Sequence, residues 1–175
     1  MEALNEYGYD VCGLDAQPEQ VARVREHGGR AAIADLEAPL PFDDSSFDLV
    51  TCLEVIEHIA RAEHLLGEAW RVLASHGHLL LSTPNFSVWQ NRVRYGVGSG
   101  PINEGIHLRF FTPRTLKARL TTAGFRIIAQ QSFGPMTGFN AVRRLFGRRS
   151  MFVRIPRRLE PFFAEHMLYL AQKRP

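Results

Sequence analysis

Three residues near the middle of the chain have the types and the spacing of a chemical site. In FDLVTCLEVIEHI, Phe47 to Ile59, an apolar run closes on Glu54, Glu57 and His58. If a helical turn follows the run, these occupy positions i, i+3 and i+4 and share a face. Two carboxylates and an imidazole so placed can move a proton, or hold a divalent cation that lowers the pKa of a bound hydroxyl. A plainer role also fits, in which Glu54 and Glu57 charge the first turn of a helix and His58 packs against it. No metal is assigned.

A second imidazole, His107, lies in GIHLRFFT after VGSGPINEG, where Gly and Pro allow a lid. It can face a ligand, or bond a backbone carbonyl and order the loop. Phe86, Trp89 and Tyr95 would make such a lid aromatic, suited to a planar or lipidic molecule, or would form its packing core. Two more acids close apolar runs, Asp15 in YDVCGLD and Asp35 in AAIADL. An acid at a strand end can accept both hydroxyls of a ribose. Each also reads as a turn-forming Asp, with Asp15 capping the helix that Pro18 opens.

These candidates need a scaffold, and the apolar pattern supplies one. YDVCGLD, AAIADL, FDLVTCLEV, HLLLSTPN, FRIIAQQSF and HMLYLAQKR read as strands. PEQVARVREHG, IARAEHLLGEAWRVLASHG and TPRTLKARLTTAGF read as helices, the first and last opened by Pro and all three closed near Gly. Strands separated by helices predict an α/β fold, a Rossmann-like and mostly parallel sheet with helices on both faces and an antiparallel final strand. Ligands then bind at the carboxyl ends of the strands.

Composition narrows the class. The 175 residues, 45% hydrophobic and 22% charged, suit a single globular domain with a substantial core. Cys12 and Cys52 both lie in apolar runs and read as buried thiols of a reducing compartment. No apolar run approaches the roughly 18 residues needed to span a bilayer, so the expected location is cytoplasmic or peripheral to the membrane. Net charge is +3, yet Ala141 to Pro175 carries nine Lys or Arg and two Glu, leaving 3 − 7 = −4 for the residues before it. Segment 134–163 interleaves Arg with Phe, Leu and Val, the composition of an interfacial element on an anionic membrane or of a solvated basic face. No nucleic-acid module accompanies the basic residues, and no nucleic-acid partner is expected.

The order of signals resembles the class I S-adenosylmethionine-dependent methyltransferases. The resemblance rests on GLDAQPEQV, ADLEAPLPFDDSSFDLV, EVIEHI, GEAWRVLASHGHLLLSTPN and HLRFFTPRTLKARLTTAGF, which follow the family's order across nearly the whole chain. It is nearest to small-molecule enzymes such as the ubiquinone-pathway O-methyltransferases. The resemblance implies S-adenosyl-L-methionine as cofactor and a small-molecule or lipid-linked acceptor. It assigns Asp15 to the cofactor ribose, Asp35 and the Leu36 backbone to the adenine, Ala16 and Gln17 to the adenine edge, and Glu54 to the methionine end. His58 and His107 become the catalytic candidates facing the acceptor.

The family's first strand and glycine-rich loop do not precede the helix expected around Met1 to Tyr7. The expectation is therefore one methyltransferase-like domain, residues 1–175, truncated at its N-terminus, with segment 134–163 inserted before the last strand. The gap would lie between the strands at Asp15 and Phe47, and a homodimer could cover it. The alternative function is a non-catalytic remnant that binds a partner or a membrane surface.

Overall fold

The computed structural model describes residues 6–100, 107–135 and 152–175. The chain forms two compact units, Met1–Phe42 and Asp43–Pro175. Segment 134–163 is thus described only at its two ends, and residues 136–151 lie outside the described residues.

The first unit is a strand–helix–strand motif. Strand β1 (Cys12–Asp15) leads into helix α1 (Pro18–Glu26) and strand β2 (Arg30–Ile33). The two strands pair in parallel, with Asp15 opposite Ile33. Pro18 sits in the first turn of α1, where its missing N–H costs nothing. Gly28 ends the helix at φ 77°, a conformation that favours glycine. Strand β1 begins three residues later than the run from Tyr9 predicts, and β2 ends three residues before Leu36, although the Ala34 N–H still donates to the Asp15 carbonyl at 3.1 Å.

The second unit carries a five-stranded sheet in the order β3–β4–β7–β5–β6. Its strands are β3 (Phe47–Leu53), β4 (Leu73–Pro84), β5 (Phe125–Pro135), β6 (Phe152–Arg154) and β7 (His166–Lys173). Strand β3 pairs in parallel with β4, while β7 runs antiparallel to both β4 and β5. So β3, β4 and β5 point one way, and the final strand is inserted between two of them in reverse. The outcome is a mixed Rossmann-like α/β sheet with the antiparallel last strand that the sequence predicts. Among the described residues β1 pairs with β2 and β3 with β4, in two separate sheets.

Helices α2 (Ala62–Val72), α3 (Trp89–Gly96), α4 (Pro113–Thr122) and the single turn α5 (Glu160–Phe163) complete the unit. The apolar stripe of α2, Leu65, Leu66, Ala69 and Val72, is buried, as are Leu116 and Leu120 of α4. These spacings are the three- and four-residue repeats of one helix face. In the sheet, Leu79 and Leu81 of β4 and Met167, Tyr169 and Ala171 of β7 are fully buried at every second position. Thr112 caps α4 through a reciprocal pair of bonds with Thr115, which sets where that helix starts. The result is a rigid sheet whose β3 and β4 both finish at one edge, where Glu54, Thr83 and Asn85 emerge.

Candidate active site

Strand β3 ends at Leu53, and the next residue adopts φ 54°. Glu54 is therefore no part of the helical turn that its spacing suggests. A non-glycine residue in the left-handed region costs of order 1 kcal/mol and is kept by its surroundings. Here the Glu54 N–H donates to both the carbonyl (3.2 Å) and the hydroxyl (3.1 Å) of Ser82 on β4. The Ser82 hydroxyl in turn donates to Glu54 Oε1 at 2.6 Å, and Glu54 Oε2 lies 3.3 Å from His166 Nδ1. Burial pushes the Glu54 carboxyl up, but the bonds from His166 and Ser82 and nearby imidazole charge outweigh it and hold it below its ordinary value.

The turn itself is one 3₁₀ turn, Ile56–His58. Ile56 is fully buried and anchors it, which drives its neighbour Glu57 inward to 2% exposure. Thr83 Oγ1 donates to Glu57 Oε2 at 3.0 Å. Burial, with Glu54 nearby, pushes the Glu57 carboxyl above its usual range despite that bond. Glu54 and Glu57 thus diverge, one toward Ser82 and His166 and the other into the protein.

His107 arrives from a distant segment. The backbone N–H groups of Leu108 and Arg109 donate to the Glu57 carbonyl at 2.9 and 3.0 Å, and the Arg109 guanidinium donates to the Ala60 carbonyl. These bonds dock His107 over the turn, with its ring centroid 4.9 Å from that of His58. Ligand-type atoms of Glu57, His58 and His107 all lie within 4.8 Å of one another. That spacing suits a shared proton or a shared divalent ion equally.

Beside the cluster opens a cavity of about 130 Å³, lined by Glu57, His107, His166 and the aromatic rings of Phe86, Phe110 and Phe111. The volume is that of about one aromatic ring. Phe86 stacks on Phe110 at 4.1 Å and meets Tyr95 edge-on at 5.8 Å. Of the three aromatic residues read from the sequence, Phe86 lines the cavity, while Trp89 and Tyr95 are both exposed on α3. Residues 101–106 of the lid segment lie outside the described residues.

In the first unit, Asp15 closes β1 and Asp35 follows β2, on adjacent parallel strands. Asp15 Oδ1 accepts the Gln17 N–H at 2.8 Å, and Asp35 Oδ1 accepts the Glu37 N–H at 2.9 Å. Each carboxylate is held by one oxygen in a tight turn, with Ala16 and Leu36 in the loops that follow. Two acids side by side at parallel strand ends are acceptors for the donors of a nucleoside, its ribose hydroxyls and its adenine amino group. The donor chemistry of S-adenosylmethionine therefore fits them.

Sequence reasoning did not single out His166, Ser82, Thr83 or Arg109. A signal for His166 was present, because a final strand running antiparallel must begin at the edge where the parallel strands end. His166 is the first residue of β7 and pairs with Pro84, the last of β4.

The comparisons agree with the fold and the motif order. A family profile described as a methyltransferase domain matches residues 1–81. A probable S-adenosylmethionine-dependent methyltransferase of Mycolicibacterium smegmatis is 35% identical over 118 residues, covering 67% of this chain and 44% of that protein. The chain belongs to the class I S-adenosylmethionine-dependent methyltransferases. A ubiquinone biosynthesis O-methyltransferase of Idiomarina loihiensis is 30% identical over 154 residues, covering 79% of this chain and 62% of that protein. The chain thus spans less than two thirds of the length of both curated relatives. Among solved structures, an S-adenosylmethionine-dependent methyltransferase of Mesorhizobium loti superposes with a TM-score of 0.70 at 18% identity, over 98% of this chain and 84% of that one. S-adenosylmethionine is the cofactor that membership implies. Among the described residues no helix is long and apolar enough to cross a membrane.

Proposed function

We propose that this protein transfers a methyl group from S-adenosylmethionine to a small-molecule or lipid-linked acceptor. The carrying observation is that Glu57 and His107, with His58 close to both, line a ring-sized, Phe-walled cavity at the carboxyl edge of β3 and β4, which His58 itself does not line. When bound, the cofactor supplies an electrophilic methyl on a sulfonium. Asp15 with Ala16 and Gln17, and Asp35 with Leu36, are the residues to hold its nucleoside. The barrier to such a displacement falls when acceptor and methyl are aligned and water is kept out, and a base helps when the acceptor must lose a proton. Phe86, Phe110 and Phe111 would orient a planar acceptor and exclude water. His107 stands where it can contact the acceptor, with the His58 ring 4.9 Å behind it.

Titration calorimetry tests the reading. S-adenosylmethionine should bind with micromolar affinity to the natural protein, and Asp15→Ala should weaken it by about 1.5 to 3 kcal/mol, roughly 10- to 150-fold, the worth of hydrogen bonds to a charged group. An unchanged dissociation constant would remove Asp15 from the cofactor site.

A second reading, peripheral membrane contact, draws on one surface. Trp89 and Val93, one turn apart on α3, are exposed, as are Phe162 and Phe163 of α5. The Arg92 guanidinium lies 4.6 Å above the Phe162 ring. Aromatic side chains among arginines suit an anionic interface. Co-sedimentation with phosphatidylglycerol vesicles but not with phosphatidylcholine vesicles would support it, and equal recovery in both pellets would end it.

A further inference from the structure

Glu54, which the motif order assigns to the methionine end, is bonded instead to Ser82 and His166, two residues to which that order gives no role. We propose that Glu54 positions His166 as the base that takes the acceptor's proton. The proposal rests on the methyl-transfer reading and moves the proton from the His58 and His107 pair to a third imidazole.

The geometry has three parts. The strained Glu54 backbone, φ 54°, aims its carboxylate at β4 and β7 instead of along the turn. Ser82 then fixes one carboxylate oxygen at 2.6 Å, and the other faces His166 Nδ1 at 3.3 Å. Finally, His166 lines the cavity with Glu57, His107 and Phe111. A carboxylate on Nδ1 fixes the tautomer with the proton there and leaves Nε2 as the basic nitrogen. The same carboxylate steadies the imidazolium that forms, the orienting logic of catalytic acid–imidazole pairs. His58 and His107, in contrast, meet ring to ring.

The step balances. The acceptor's hydroxyl or amine proton goes to His166 Nε2, and the electron pair so released forms the bond to the methyl carbon. The carbon–sulfur bond breaks with its pair left on sulfur, which becomes a neutral thioether. Glu54 from the end of β3 faces His166 Nδ1, and the other charged groups that line the cavity with His166 are Glu57 from the 3₁₀ turn, His107 and Arg109 from the docked segment, and Glu165 beside it. Glu165 accepts from Gln90 Nε2 at 3.1 Å.

The experiment reads the histidine without needing an acceptor. Long-range proton–nitrogen spectra of the ¹⁵N-labelled protein, with His166→Gln assigning the signal, should show neutral His166 protonated on Nδ1. In Glu54→Gln, which keeps the size and one acceptor oxygen, the titration midpoint of His166 should move to lower pH by about half a unit or more. Diethyl pyrocarbonate should modify His166 in the wild-type protein, read by peptide mass spectrometry. An Nε2-protonated tautomer, a midpoint unmoved in Glu54→Gln, or an unmodified His166 beside labelled His58 and His107 would each overturn the proposal. Calorimetry with S-adenosylhomocysteine separates the two ideas. A wild-type protein that does not bind it overturns methyl transfer and the base role together, whatever the spectra show of the pair. Binding retained in His166→Gln together with the Nδ1 tautomer supports both.

Discussion

Glu160 is the residue whose removal most directly tests how the site is held. It is 1% exposed at the start of α5. Its Oε1 accepts from Ser132 Oγ at 2.6 Å and from the Tyr169 hydroxyl at 3.2 Å, and its Oε2 accepts from Gln130 Nε2. Lys117 Nζ stands 3.9 Å away at the half-exposed side. Burial and the Glu160 charge push the Tyr169 phenol well above its ordinary value, so it stays a donor. Asn85 Nδ2 also donates to the carbonyls of Glu160 and Ala164, which ties α5 to the cavity wall and to the start of β7 at His166. Glu160→Ala would strand three donors from buried residues, each worth about 1 to 3 kcal/mol. Part of that is returned, because a buried carboxylate no longer has to be desolvated, and the Lys117 pair contributes at most about 1 kcal/mol at its exposure. The expected loss is about 3 to 5 kcal/mol, the range for removing one partner of a buried charged network. Glu160→Gln, which keeps one acceptor oxygen, should lose only about 1 to 2 kcal/mol. Urea unfolding followed by far-ultraviolet circular dichroism, with the two variants showing the same slope as wild type, measures both. A Glu160→Ala protein within 1 kcal/mol of wild type would refute the view that this carboxylate organises the α5–β7 edge.

Glu57→Gln should stabilise the protein near pH 7. The Glu57 carboxyl is raised by burial, so its favourable contribution is full below its unfolded pKa and is lost as pH rises through the folded one; the advantage of Gln should fade on acidification to about pH 4, and an advantage that grows there would contradict the burial argument. Ellman's reagent should label Cys12, which is half-buried, before unfolding, and spare Cys52, which is buried with its thiol pushed up to about 12. A single released thiolate in the native protein and two in urea is the expected count. Gly134→Ala should cost at least 2 kcal/mol in the same unfolding assay, because a Cβ there would stand 2.1 Å from the Phe163 carbonyl oxygen, a backbone atom that can give way only by moving α5.

The alternation of strands and helices was legible in the sequence because each element must bury one face, and burial writes a period of two or of three to four into the residues themselves. Leu79 and Leu81, or Leu65, Leu66 and Ala69, show it without any structure. The strand-end acids Asp15 and Asp35 and the His58–His107 pair could be named in advance for a related reason, since ligands of an open α/β sheet gather where its parallel strands end. Spacing alone misplaced Glu54. Whether a residue after a strand enters a helix or turns through a positive φ depends on bonds to a neighbouring strand, here Ser82, which is 28 positions away. Glu160 was beyond reading from the sequence, and His166 was reachable only through the predicted reversal of the last strand. A lone histidine before an apolar run, or a glutamate before Pro161, has no local pattern that marks it. Their roles come from insertion of β7 between β4 and β5, which brings residue 166 to Glu54 and residue 160 to Gln130 and Ser132. Periodicity is a property of one segment and is carried by the sequence, whereas a partner more than a hundred residues away is chosen by topology, and only the folded sheet decides it.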